Sequence, residues 1–208
     1  MGPGPIRGLA PVVHPTTTKR WPAHTVAIEP ATPSLLDPLP WSSARLTLRR
    51  LRPDDLPRFQ AYRHDAEVAR YQGWDPLSDE DARGFLVQMS GAPFGRLGEW
   101  LQIAIADAAD DLLLGDLGLF VAVSGGEAEF GITLARAAQA KGLAEEAAQT
   151  LIDGLRAHTA VRRVVAITDT RNVSSARLLR RLGMELDAEM PAEFKGEPCR
   201  EWHFSLAL

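Results

Sequence analysis

Apolar and polar positions along the chain change period several times, and each change predicts an element. In "RLTLRRLRPDDLPRFQAYRHD", Leu46 and Leu48 alternate with Thr47 and Arg49 as in a strand. Pro53 then suits the first turn of a helix, with Asp54 and Asp55 near its positive end. "SDEDARGFLVQMS" reads as a second helix with Ser78 as N-cap. Leu101, Ile103 and Ile105 share one face of a strand in "WLQIAIAD", and "LLLGDLGLFVAV" and "EAEFGITLA" are two more, joined by the turn-like "SGGE". These three predict an antiparallel meander. A helix from about Gly142 to His158 follows, with Ala144, Ala148, Leu151, Ile152 and Leu155 at helical spacing. The apolar run "VVAIT" is a buried strand. The next helix carries Ser175, Leu178, Leu179 and Leu182 on one face and ends at Gly183. In "REWHFSL", Trp202, Phe204 and Leu206 alternate with polar residues as a last strand. There is no internal repeat, and the order is that of an α/β (α+β) domain.

Residues 1–43 have no such period. Nine of the fifteen prolines fall in the first forty residues, which disfavours helix and central strand alike, so this stretch is expected to be an N-terminal arm and residues 44–208 the domain. Trp21 and Trp41 are large rings that seek a surface to pack on. A net charge of −4 gives no general pull toward nucleic acid or an anionic membrane, and neither is an expected partner. The apolar run from Leu112 to Val123 is too short for a membrane span and is interrupted by Gly115, Asp116 and Gly118. Prolines at 3, 5, 11 and 15 break any export signal, and the single cysteine, Cys199, fits a reducing, cytoplasmic setting. No Cys/His spacing suggests a metal site.

Chemistry concentrates at "QAKGLAEEAA", where a loop of small residues opens a helix. A helix start has N–H groups without internal partners and a partial positive charge, and so suits an anion; a glycine there also serves a plain turn. There is neither a G-K-[ST] of an ATP loop nor a G-x-G-x-x-G of a dinucleotide fold. Gln139, Gly142 and Ala144, placed between a strand and an alanine-rich helix, resemble the R/Q-x-x-G-x-G/A pyrophosphate loop of the GNAT superfamily of N-acetyltransferases. Asn172, Ser175, Leu178, Leu179, Arg181, Gly183 and Met184 resemble that family's second element. "RLTLRRLRPDDLPRF" and "VARYQGWDP" look like the opening segments of its RimJ/RimL-like branch. The resemblance runs from about residue 45 to the C-terminus. It implies a GNAT-like, mixed, mostly antiparallel central sheet flanked by helices, and transfer of an acetyl group from acetyl-CoA to a primary amine in a ternary complex, without a metal. The acceptor would be a protein N-terminus or a small amine.

The resemblance also assigns residues. The strand Phe130, Gly131, Ile132, Thr133, Leu134 would offer its edge to the pantetheine arm, and Gln139, Ala140, Lys141, Gly142, Leu143 and Ala144 would hold the pyrophosphate. Ala140 stands where the family often has glycine, so a positive φ there would be strained. Glu129 is the candidate general base, with Glu127 as substitute; either is equally a solvated strand carboxylate. A leucine, Leu179, occupies the position of the usual tyrosine acid, and Ser175 one turn earlier would assist the departing thiolate or, equally, bond a backbone carbonyl four residues back in its helix. Asn172 would contact the pantetheine, cap its helix, or both. Tyr71, Gln72 and Trp74 would wall the acceptor pocket or serve core and turn packing, with Arg200, Trp202 and His203 near the same cleft, His203 being equally a plain strand residue. Two other readings stand beside this one: a catalytically weak or inactive acyl-CoA-binding module with an interaction role, and an arm that docks a partner or forms a homodimer.

Overall fold

The computed structural model describes residues 38–208. The part of the arm before them, with Trp21, lies outside the described residues. Eight strands form one sheet in the order β1-β2-β3-β4-β5-β6-β8-β7. They are β1 (Trp41–Ser42), β2 (Leu46–Arg50), β3 (Trp100–Asp107), β4 (Leu113–Val121), β5 (Glu127–Leu134), β6 (Arg163–Asp169), β7 (Glu185–Phe194) and β8 (Glu197–Ala207). All neighbours pair antiparallel except β5 and β6. The helices are α1 (Leu56–Arg63), α2 (Ala66–Ala69), α3 (Asp79–Gly91), α4 (Leu143–His158) and α5 (Val173–Arg181). Among the described residues no helix is long and apolar enough to cross a membrane.

Strand alternation divides the sheet into two unlike faces. One carries Leu46, Leu48, Ile103, Ile105, Leu117, Leu119 and Phe130, all buried, and packs against the Ala148, Leu151, Ile152, Leu155 stripe of α4. The helix is amphipathic, so burial of this stripe rather than helix propensity holds it in place. Trp41 belongs to the same face. Its ring lies so close to Gly154 of α4 that a Cβ there would sit 2.2 Å away. The end of the expected arm is therefore part of the sheet, and Trp41 is a core residue.

The opposite face carries polar groups and is covered by α1 and α3. Arg49 of β2 makes a two-point bond to Asp55 at 2.9 Å, and Asp111 takes its remaining Nε at 2.7 Å. This cluster anchors the turn that begins α1.

The hydrophobic pattern leaves β7 unpredicted, because most of its residues are exposed and the alternation of a half-buried strand is missing. The expected last strand is instead the second arm of a hairpin, β7–β8. The four-residue α2 also has no period long enough to read.

Candidate active site

The site is built where two parallel strands separate. Glu127, Ala128 and Glu129 of β5 pair with Arg163, Val164 and Val165 of β6, and the pairing stops there. β5 continues to Leu134 paired only with β4. From Phe130 onward its β6-side edge is thus without a strand neighbour. Two glutamine amides reach this stretch: Gln139 Nε2 donates to the Leu134 carbonyl at 2.9 Å, and Gln72 Nε2 to that of Ile132 at 3.5 Å.

A single 3-10 turn, Arg136–Ala138, leads from β5 to the start of α4. Between them Ala140 has φ 57° and Gly142 φ 76°. The alanine therefore adopts the left-handed conformation despite its Cβ, as the family's glycine would. Gly142 is the N-cap and offers no side chain to the first-turn N–H groups of α4. Glu145 and Glu146 in that turn would oppose an anion, but each carries an arginine. Arg181 bonds Glu145 at 2.6 Å, and Arg45 bonds Glu146 through both its Nε, at 2.6 Å, and its backbone N–H, at 2.9 Å. Burial opposes ionisation of Glu146, but the bonds from Ser43 and Arg45 outweigh it and hold its carboxyl below the usual range. Arg45 also donates to the Lys141 carbonyl at 3.0 Å, so the β1–β2 turn fixes the loop from outside. The Lys141 side chain is exposed.

On the polar face, cross-strand register sets residues of β3, β4 and β5 in rows. Trp100, Phe120 and Glu129 form one row, Gln102, Gly118 and Gly131 the next, and Ala104, Asp116 and Thr133 a third. The two glycines leave the middle row bare. A cavity of about 70 Å3 opens over it, walled by Tyr71, Gln72 and Trp74. The structure thus brings the acceptor-side candidates Tyr71 and Trp74 together with Gly131 and Thr133. Trp74 is buried, its ring 4.3 Å from the Arg63 guanidinium. The Tyr71 hydroxyl donates to the Arg171 carbonyl at 3.3 Å across the cleft.

Beneath the cavity lies a cluster that the motifs do not reveal. Tyr62 donates to Asp116 Oδ2 at 2.5 Å and Arg63 to the same oxygen at 2.7 Å, all three nearly inaccessible to solvent. Burial works against the Arg63 charge, but Asp116 more than compensates and its pKa rises. Burial, then the Asp116 charge, pushes the Tyr62 phenol well above its ordinary value. One signal was available in the sequence: a carboxylate inside the apolar run of β4 needs a buried cationic partner.

Of the remaining candidates, Glu129 is half-buried, at the last β5–β6 pair and on the cavity's face of the sheet. Glu127 is held by Arg163 at 2.8 Å. Asn172 accepts the Ser175 N–H at 3.2 Å, which makes it the N-cap of α5. Ser175 is half-buried in the first turn of α5, while Leu179 points into the core. Arg200 and Trp202 both bond Glu189, and the Trp202 ring lies 5.5 Å from Arg180 of α5. They belong to the α5 side and do not line the cavity with Tyr71 and Trp74. Burial, with Asp169 and Glu201, pushes the Cys199 thiol up, away from the reactive thiolate form.

The model of the acetyltransferase (GNAT) domain family matches residues 45–185. The uncharacterized N-acetyltransferase p20 of Bacillus licheniformis is 30% identical over 142 residues, covering 68% of this chain and 79% of p20. A GNAT-family acetyltransferase from Bacillus anthracis superposes with a TM-score of 0.73 at 20% identity, covering 81% of this chain and 98% of its own. Spermidine N-acetyltransferase from Vibrio cholerae, in complex with CoA and spermine, does so with 0.68 at 18%, covering 79% and 96%. The diverging strands, the open start of α4 and the match over most of the chain lead to one assignment: the protein belongs to the GNAT family and is an acetyltransferase with acetyl-CoA as its donor.

Proposed function

We propose that the protein moves an acetyl group from acetyl-CoA to a primary amine by direct attack, both substrates being bound at once. One observation carries this reading. β5 loses β6 at Glu129 and, eight residues after Leu134, meets a helix start whose N–H groups have no capping side chain. An extended amide chain ending in a pyrophosphate fits such an edge followed by such a helix. Residues 130–134 hold the pantetheine arm and residues 139–144 the pyrophosphate. The acceptor enters from the opposite side, through the cavity of Tyr71 and Trp74.

In the reaction the amine nitrogen forms a bond to the acetyl carbon and the carbon–sulfur bond breaks. Glu129 takes the amine's proton, directly or through a water. Backbone N–H groups between Phe130 and Thr133 stabilise the oxyanion. The Ser175 hydroxyl hydrogen-bonds or protonates the departing sulfur, a modest requirement for a thiol of ordinary pKa. A protein N-terminus and a small amine are both suitable acceptors. The opening strand and helix support the RimJ/RimL-like branch, and the single cysteine supports a cytoplasmic setting.

The test is calorimetric titration with acetyl-CoA, with ATP and NAD as controls, followed by thiol release with a panel of primary amines. Selective, saturable binding and amine-dependent release are expected. Binding without release would favour the second reading, an acyl-CoA-binding module with little turnover, to which the burial of Leu179 in place of an acid gives weight.

A further inference from the structure

The middle row of the cavity floor contains one functional group, the Gln102 side chain. The residue is 2% exposed, and its Oε1 has no hydrogen-bond partner among the described residues. Its backbone N–H contacts Met89 Sδ at 3.5 Å, and the residue is part of the cavity lining. Next to it, Gly118 and Gly131 keep the floor clear, and a Cβ added at Gly131 would meet open space. Of the charged residues, Asp116 alone lines this cavity, and its Oδ2 already accepts from Tyr62 and Arg63. The floor is therefore uncharged overall, has one amide oxygen without a partner among the described residues, and is walled by Tyr71, Trp74 and Trp100. At about 70 Å3 the cavity is a small pocket, sized for the groups next to a reacting amine rather than for the whole of a large acceptor.

We propose that Gln102 is a specificity-determining residue, selecting amines that carry a neutral amide or hydroxyl within two carbons of the reacting nitrogen. This rests on the acetyl-transfer reading above. The physical basis is the asymmetry of buried hydrogen bonds: an unpaired amide is costly, and a ligand that pairs it gains what one lacking the group forfeits. Rotation about χ3, a broad two-fold torsion, turns either end of the amide toward the ligand. A hydrocarbon beside the amine leaves the amide unpaired. A second ammonium is no better, because it would be desolvated with the nearby carboxylate already matched by Arg63.

Ethanolamine, glycinamide, propylamine and 1,3-diaminopropane are matched probes. Each is titrated into CoA-loaded protein by calorimetry and assayed for thiol release with acetyl-CoA. Ethanolamine and glycinamide are expected to exceed the other two by at least about tenfold in both affinity and kcat/KM. Gln102→Met, unbranched and of similar size, removes the amide and should level the four without lowering the melting temperature. Gly131→Ala places a methyl in open space and should weaken all four acceptors alike. Equal affinities in the wild type, a preference that survives Gln102→Met, or undiminished binding in Gly131→Ala would each overturn the assignment. A preference in binding with no thiol release would leave the selector standing and remove the transfer reading. Release without preference would do the reverse.

Discussion

On the reading proposed above, the two ends of the cleft recognise their substrates with different parts of the chain. At the donor end the proposed recognising groups are backbone N–H groups of the loop 139–144, aimed by the left-handed Ala140 and Gly142, the Gln139 N–H being already given to the Arg136 carbonyl at 3.2 Å. At the acceptor end they are side chains from β3, β4, β5 and the segment after α2, brought together by strand register. A backbone site tolerates changes of side chain but not of φ. A side-chain site depends on a buried support, here Tyr62, Arg63 and Asp116. The donor end is therefore vulnerable to substitutions that disfavour a positive φ, such as proline or a β-branched residue, and the acceptor end to loss of a charge.

The largest effect is expected at that support. Asp116→Ala would leave the Arg63 guanidinium buried with no anion, at a cost of about 3–5 kcal/mol, a large part of the reserve of an ordinary domain. Denaturant unfolding measures it. A loss of less than about 1 kcal/mol would mean that Arg63 escapes to solvent and that the acceptor end has no rigid floor.

Glu129→Gln comes next and probes the junction between the two ends. It keeps the shape and removes the proposed base, so turnover should fall by about 100-fold or more, with acetyl-CoA affinity little changed. Steady-state rates and calorimetry separate the two. Unchanged turnover would move the base elsewhere on the polar face. Gly142→Pro is the donor-end counterpart. Proline requires φ near −65° where the structure has 76°, and it lacks the N–H. Acetyl-CoA affinity should weaken about tenfold or more while thermal melting still reports a folded domain. Retained affinity would remove the pyrophosphate from this loop.

The same contrast explains what was legible beforehand. The proposed pyrophosphate loop is written in one stretch, "QAKGLAEEAA", because such a site needs a small-residue loop and an amphipathic helix adjacent in sequence. The meander, α4 and β6 were legible because their faces are unequally buried. β7 was not, since both its faces meet solvent, and neither was the role of Trp41, whose slot exists only because Gly154 faces it from α4. The acceptor floor was hidden for a related reason. Gln102, Asp116 and Gly131 become neighbours only through a register that periodicity does not specify, and Tyr62 and Arg63 reach Asp116 over more than fifty residues. Asp116 in an apolar strand was a visible anomaly, but its partner was not.

The smallest effect tests the backbone argument most directly. Ala140 has φ 57°, a conformation that costs a residue with a Cβ about 1–2 kcal/mol. Glycine would remove this strain but enlarge the freedom of the unfolded chain, which offsets about 0.4–1 kcal/mol. Ala140→Gly should therefore stabilise the domain by about 0.5 kcal/mol, read as a small rise in the melting temperature, with acetyl-CoA affinity nearly unchanged because the N–H groups keep their aim. Ala140→Val, β-branched at the same φ, should lose both stability and affinity. If glycine brings no gain and valine no loss, the left-handed turn is not strained. The shape of the loop would then be set by its outside ties, Arg45 to the Lys141 carbonyl and Gln139 to the Leu134 carbonyl, rather than by the conformational preference of residue 140.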